Sequence, residues 1–267
     1  MAIMPLCFRL IAQEVADDPS LAFWTQRTVG SEAAKPLEPT RQQGNEKGSM
    51  KSTVVITAAL LGLVSVNGST AQSRDIDLEA ADGVTLKATY SSPGRPGPGM
   101  LLIHQCNMDR ASWTGISAAL VDAGIHVLTL DLRGFGDSEG EGMSGGFPAL
   151  LQKSAGDSDM ALEYLVSQSG VDSSRLGVGG ASCGGMILAD LAARRPGVKA
   201  LMLLSSPPSE AAVKNMADTP GLAVFGAATE DDPVTLGVAD VLRGAVSGSK
   251  HPHSTAKIYE GTEHGLP

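Results

Sequence analysis

The chain has 267 residues, 42% of them hydrophobic and 18% charged, with a formal net charge of −9. That is enough chain for a substantial core, and the composition is that of a globular protein. The acidic balance lacks the basic footprint of a nucleic-acid binder, so no nucleic-acid partner is expected.

Residues 1–49 carry no sustained period and scatter Pro5, Pro19, Pro36 and Pro39 among polar residues. Next comes MKSTVVITAALLGLVSVNGSTAQS, with Met50 as a start, Lys51 as its positive charge and an apolar run from about Val54 to Val66. Ser69 and Ala71 place small residues at the −3 and −1 positions of a cleavage site. These are the three regions of a secretory signal peptide. The run is too short for a membrane span, which needs about 20 apolar residues; a buried core helix is the competing reading. The expectation is a non-native or disordered leader over 1–49, a signal peptide over 50–71 cleaved near Ala71, and an exported domain over 72–267, periplasmic or secreted. Cleavage leaves the charge at −9 and removes Cys7, so Cys106 and Cys183 remain as an even pair in an oxidising compartment.

From residue 72 short apolar strands alternate with helix-length segments, the pattern of a mainly parallel sheet covered on both faces. DIDLEAADGVTLKATYSSP reads as a hairpin turning at Asp82–Gly83. PGRPGPG reads as a surface loop, MLLIH as a buried strand and ASWTGISAALVDAG as a helix stopped by Gly124. IHVLTLDLRGFGDSEG is a strand entering a Gly-rich loop that runs to about Pro148, followed by a helix through DSDMALEYLVSQSG. RLGVGG, VKALMLLSSPP and GLAVFGAATEDDP read as three more strands, with a helix, CGGMILADLAARRPG, after the first. A helix near 234–247 and the strand TAKIYEG close the pattern.

GASCG, Gly180–Gly184, fits G-x-S-x-G between a predicted strand and a predicted helix, the context of a nucleophile elbow. The serine of such an elbow sits on a strained turn, so residues two before and two after must be small. Cys183, flanked at the same distance by Ala181 and Gly185, is the alternative nucleophile; placing the turn there leaves Gly180 outside the motif, which favours Ser182. A serine needs a base and the base an orienting acid. His264 follows the last strand, and Asp231 and Asp232 follow the strand before it. Asp232 is preferred because it directly precedes Pro233, with Asp231 as the alternative acid. Among the other histidines, His126 lies within a strand, and His251 and His253 have no further metal ligand near them, so no metal site is expected. The oxyanion donors are the backbone N–H of Cys183 and that of Gln105 or Cys106.

Taken together, LLIHQCNMDRASW, LTLDLRGFGDSEG, RLGVGGASCGG, GAATEDDP and YEGTEHG resemble the α/β-hydrolase superfamily, in its dienelactone-hydrolase-like and small serine esterase branch, over about residues 75–267. The resemblance implies an α/β-hydrolase fold, with a mainly parallel doubly wound sheet and an N-terminal antiparallel hairpin. It implies Ser182 as nucleophile, His264 as base, Asp232 as acid, the Cys106 and Cys183 amides at the oxyanion hole, no cofactor, and a small-molecule ester substrate. Dienelactone hydrolases themselves use cysteine where Ser182 stands, so their lactone substrate is not carried over. His104–Gln105 replaces their usual His-Gly, and the 16 residues 208–223 leave no room for a large cap. A C-terminal helix normally follows the position of His264, so the expectation is either a truncated sequence or a fold that lacks one covering element. The same fold reading sets Cys106 on the loop facing Cys183, close enough for a disulfide that pins the oxyanion hole.

Overall fold

The structure is a computed structural model that describes residues 71–265. The leader and all but the last residue of the expected signal peptide lie outside the described residues.

Eight strands form one sheet in the order β1-β2-β4-β3-β5-β6-β7-β8. β1 (Gln72–Glu79) and β2 (Thr85–Ser92) pair antiparallel around a turn in which Gly83, at φ +81°, donates its N–H to Ala80 O. β2 pairs antiparallel with β4 (His126–Leu130). β3 (Gly97–Ile103), β5 (Val171–Ala181), β6 (Val198–Leu204), β7 (Ala223–Thr229) and β8 (Thr255–Tyr259) run parallel to β4.

From β3 the chain steps outward to β4, then crosses back to β5 on the other side of β3. This reversal is the switch point outside whose strand ends ligands bind in open α/β sheets. Right-handed crossovers on the two sides of such a point place their helices on opposite faces. α1 (Thr114–Asp122), after β3, packs Val121 with Trp113, Met100, Leu102 and Val127. On the other face lie α2 (Phe147–Ser167), α3 (Cys183–Arg194), α4 (Glu210–Asp218) and α5 (Val238–Ser247), with Leu165, Leu188, Met216 and Leu242 against Leu101, Ile103 and Val178. Alternation along β3 thus feeds both faces, as a sheet buried on both sides requires.

Several boundaries differ from the sequence reading. The end of PGRPGPG is no surface loop: Gly97–Gly99 begin β3 and are buried. Glycine is needed there because a Cβ on Gly97 would lie 2.0 Å from Gly124 O, and the same crowding made the segment look like a turn. α2 starts at Phe147, inside the expected loop, with Pro148 in its first turn, where a missing N–H costs nothing. The helix expected from 111 opens as a 3-10 turn over Arg110–Trp113, and α4 joins β6 to β7, where no cap intervenes. Among the described residues no helix is long and apolar enough to cross a membrane.

Candidate active site

Register carries five strand ends to one edge: Ile103 lies beside Gly180, Ala181 beside Leu204, Leu204 beside Ala227, and Thr229 beside Tyr259. The loops leaving these ends carry Gln105, Cys106, Ser182, Asp231, Asp232 and His264.

β5 ends at Ala181, and Ser182 turns the chain at φ 49°, ψ −123° before α3 begins at Cys183. Such a backbone costs roughly 1–3 kcal/mol for a non-glycine residue and persists only where its surroundings hold it. Here the Ser182 N–H donates to Leu204 O at 2.8 Å, while the Ser182 carbonyl accepts from Met186 N–H and the Ser206 hydroxyl. The glycines are equally constrained. A Cβ on Gly180 would sit 2.4 Å from Gly184 C, and one on Gly184 would sit 2.4 Å from both Ile103 O and His104 O. The Ser182 side chain makes no capping bond to α3, and among the described residues no hydrogen bond joins it to His264. Cys183, as the first helical residue, presents a backbone N–H that has no intrahelical partner. Its sulfur is bonded to Cys106, with the Cα atoms 5.9 Å apart. In this state Cys183 has no thiol to offer as an alternative nucleophile.

The loop after β3 is held from beneath by His104. Leu132 N–H donates to His104 Nε2 at 3.0 Å, so the ring proton is on Nδ1, which donates to Gln105 O at 2.8 Å. Burial holds the His104 pKa below the usual imidazole value, which keeps the ring neutral. Gln105 O also accepts from Met108 N–H, and Gln105 Nε2 donates to Asn107 Oδ1. The Gln105 Oε1 reaches the loop after β8: a Cβ on Gly265, at φ +70°, would lie 1.8 Å from it. The Gln105 side chain therefore lies against the loop that carries His264.

That loop is tied to β7 through the Thr229 hydroxyl, which donates to Glu263 O, and through Asp231 N–H, which donates to Gly261 O. Asp232, 2% exposed, accepts Val234 N–H and Thr235 N–H on Oδ1, and its Oδ2 lies 2.7 Å from His264 Nδ1. Burial alone would raise the Asp232 pKa. The His264 bond and the two backbone N–H groups outweigh it and hold the carboxyl below its ordinary value. The ionised carboxylate can only accept, so His264 Nδ1 carries a proton; in the neutral ring this leaves Nε2 as the acceptor. The partner of His264 is Asp232; the alternative acid, Asp231, is exposed.

The remaining histidines sit elsewhere. His126 is buried between the Tyr90 hydroxyl and Arg95 O, and His251 and His253 pack on each other. Among the described residues no group of three or more His, Cys, Asp or Glu side chains is placed to hold a metal ion. The DLRGFGDS block builds rather than reacts. Asp131 accepts from the Arg110 and Asp137 N–H groups and pairs with the Arg110 guanidinium. Arg133 grips both oxygens of buried Asp157 at 2.7 Å. A cleft of about 630 Å³ between the hairpin and α1 includes Arg110 and Ser117 but none of Ser182, Asp232 or His264. Sequence reading missed Ser206, whose hydroxyl braces the elbow, and Ser205, held at φ 47°; the only hint was a Ser-Ser-Pro-Pro run after a strand.

A family model described as the alpha/beta hydrolase fold matches residues 98–229. An uncharacterized protein of Mycobacterium tuberculosis is 33% identical over 136 residues, which is 50% of this chain and 45% of that protein. The matched region thus spans less than half the length of this curated relative. Among solved structures, the Pyrococcus furiosus esterase Pf2001 superposes with a TM-score of 0.59 at 16% identity, covering 72% of this chain and 84% of that one. A Klebsiella pneumoniae protein assigned as a dienelactone hydrolase superposes with a TM-score of 0.54 at 17% identity, covering 73% and 88%.

Proposed function

This chain is an α/β-hydrolase-fold protein, and on that premise we propose that it is a serine hydrolase acting on carboxylic esters through a Ser182–His264–Asp232 triad. The fold supports a hydrolase. The observation that carries the finer reading is the buried Asp232 carboxylate 2.7 Å from His264 Nδ1, at the strand edge where Ser182 turns the chain.

In this reading His264 Nε2 takes the Ser182 proton as the hydroxyl oxygen attacks the ester carbonyl, and the Asp232 carboxylate stabilises the imidazolium. The backbone N–H groups of Cys183 and Cys106 receive the developing oxyanion. The alcohol departs with the proton from His264, and water deacylates Ser182 by the same base. With only α4 between β6 and β7, the site suits small or medium esters. The disulfide supports export into an oxidising compartment, periplasmic or extracellular.

Turnover of p-nitrophenyl esters of graded chain length tests the reading. Ser182→Ala is expected to abolish turnover while the protein stays folded by circular dichroism; full activity in the folded variant overturns the serine assignment.

A further inference from the structure

We infer that the Cys106–Cys183 disulfide is a redox-controlled clamp on the oxyanion hole, so that a small dithiol reductant lowers the rate of the chemical step. The inference rests on the serine hydrolase reading of the same site.

The two sulfurs join the two segments that supply the proposed donors. Cys183 is the first residue of α3, and Cys106 lies in the turn after β3, 77 residues earlier. The α3 side is rigid: Gly184 packs on the Ile103 and His104 carbonyls, and three bonds hold the Ser182 backbone. The Cys106 side is a loop. Residues 104–109 belong to no helix or strand, Asn107 is exposed, and the turn is closed by Met108 N–H on Gln105 O. His104 Nδ1–H and Met108 N–H both donate to Gln105 O, which shares its planar peptide unit with the Cys106 N–H, so the local bonds set the orientation of that unit. The disulfide adds the covalent tie that runs from Cys106 itself across the hole to α3. Its location favours the same role, since only these two cysteines occur in 72–267 and both flank the proposed hole.

Access is asymmetric. Cys183 is 2% exposed, whereas Cys106 is half-buried. A thiolate of the reductant attacks Cys106 Sγ, and the S–S electron pair leaves with Cys183 Sγ, which takes up a proton. The second thiol of the reductant, on losing its proton, attacks the mixed disulfide and releases the Cys106 thiolate, which is protonated in turn. Two electrons and two protons pass to the protein, and the reductant leaves as its own disulfide. The freed thiols no longer hold covalent distance, and the Gln105–Cys106 peptide unit, left with its local bonds alone, shifts its N–H off the oxyanion position.

Removal of one oxyanion donor lowers kcat by about 10²–10³; a displaced donor is expected to lower it at least tenfold, with little change in KM. The test follows p-nitrophenyl butyrate turnover by the full-length oxidised protein, by the same protein reduced with dithiothreitol, and after reoxidation. Thiol titration counts the sulfhydryls and circular dichroism checks the fold. The C106A/C183A double variant should show the low kcat in either condition and no response to dithiothreitol. Recovery of kcat on reoxidation completes the expected pattern. A folded, reduced protein with both thiols free and unchanged kcat overturns the clamp while leaving the hydrolase reading standing. Loss of activity that merely tracks loss of the circular dichroism signal also overturns it, because the bond is then only a stability element. An oxidised protein with neither turnover nor serine labelling by a fluorophosphonate overturns both readings.

Discussion

Replacing Asp232 by asparagine changes one atom and reverses one hydrogen bond. Oδ1 of Asp232 accepts two backbone N–H groups, from Val234 and Thr235, and Oδ2 faces His264 Nδ1. Asparagine has one oxygen to share between these duties. If it faced His264, the NH2 would confront two N–H donors, leaving both buried and unpaired at roughly 1–3 kcal/mol each. The oxygen therefore stays on Val234 and Thr235, and the NH2 points at His264 Nδ1. A donor there selects the tautomer with its proton on Nε2, which cannot accept the Ser182 proton. The corresponding substitution in a serine protease lowers kcat about 10⁴-fold, equivalent to about 5.4 kcal/mol at 1.36 kcal/mol per decade. The same order is expected for D232N in p-nitrophenyl butyrate turnover, with KM little altered and the near-ultraviolet spectrum unchanged. A loss below tenfold in a folded D232N protein would refute the tautomer argument.

Other substitutions probe the scaffold. Gly184→Ala puts a Cβ 2.4 Å from two backbone carbonyl oxygens; the fold should lose about 3 kcal/mol or more, read as a fall in the urea midpoint. Asp157→Ala strips buried Arg133 of its bidentate partner but leaves it Asp82 at 2.9 Å, and should cost about 3 kcal/mol, the low end for breaking a buried pair, in the same assay. The pH dependence of stability has a definite sign at Asp232. Its folded pKa lies below the unfolded value of about 3.9, so its contribution is whole above that value and lost as the pH falls through the folded one. Urea midpoints between pH 6 and pH 2.5 should therefore fall less steeply in D232N than in the parent.

Much of this arrangement was legible in the residues because local chemistry and global fold agree. GASCG reads as an elbow since its glycines answer to backbone contacts that admit no Cβ, and Asp232 stands before the proline that turns its loop. Composition misled where glycine and proline serve close packing or helix starts rather than turns: Gly97 against Gly124, and Pro148 in the first turn of α2. Ser206 was invisible for a different reason. Its hydroxyl matters only because β6 is placed beside β5, a tertiary pairing with no local signature. Gln105 likewise reads as a mere departure from glycine until the loop after β8 is seen resting on its Oε1.

The most direct test of the acyl-enzyme mechanism is mass spectrometry of protein quenched in acid during turnover of a slowly deacylating p-nitrophenyl ester. The account predicts one acyl group per chain, on the peptide carrying Ser182, absent from S182A and strongly reduced in D232N. An adduct on another residue, or S182A acylated as fast as the parent, would contradict it.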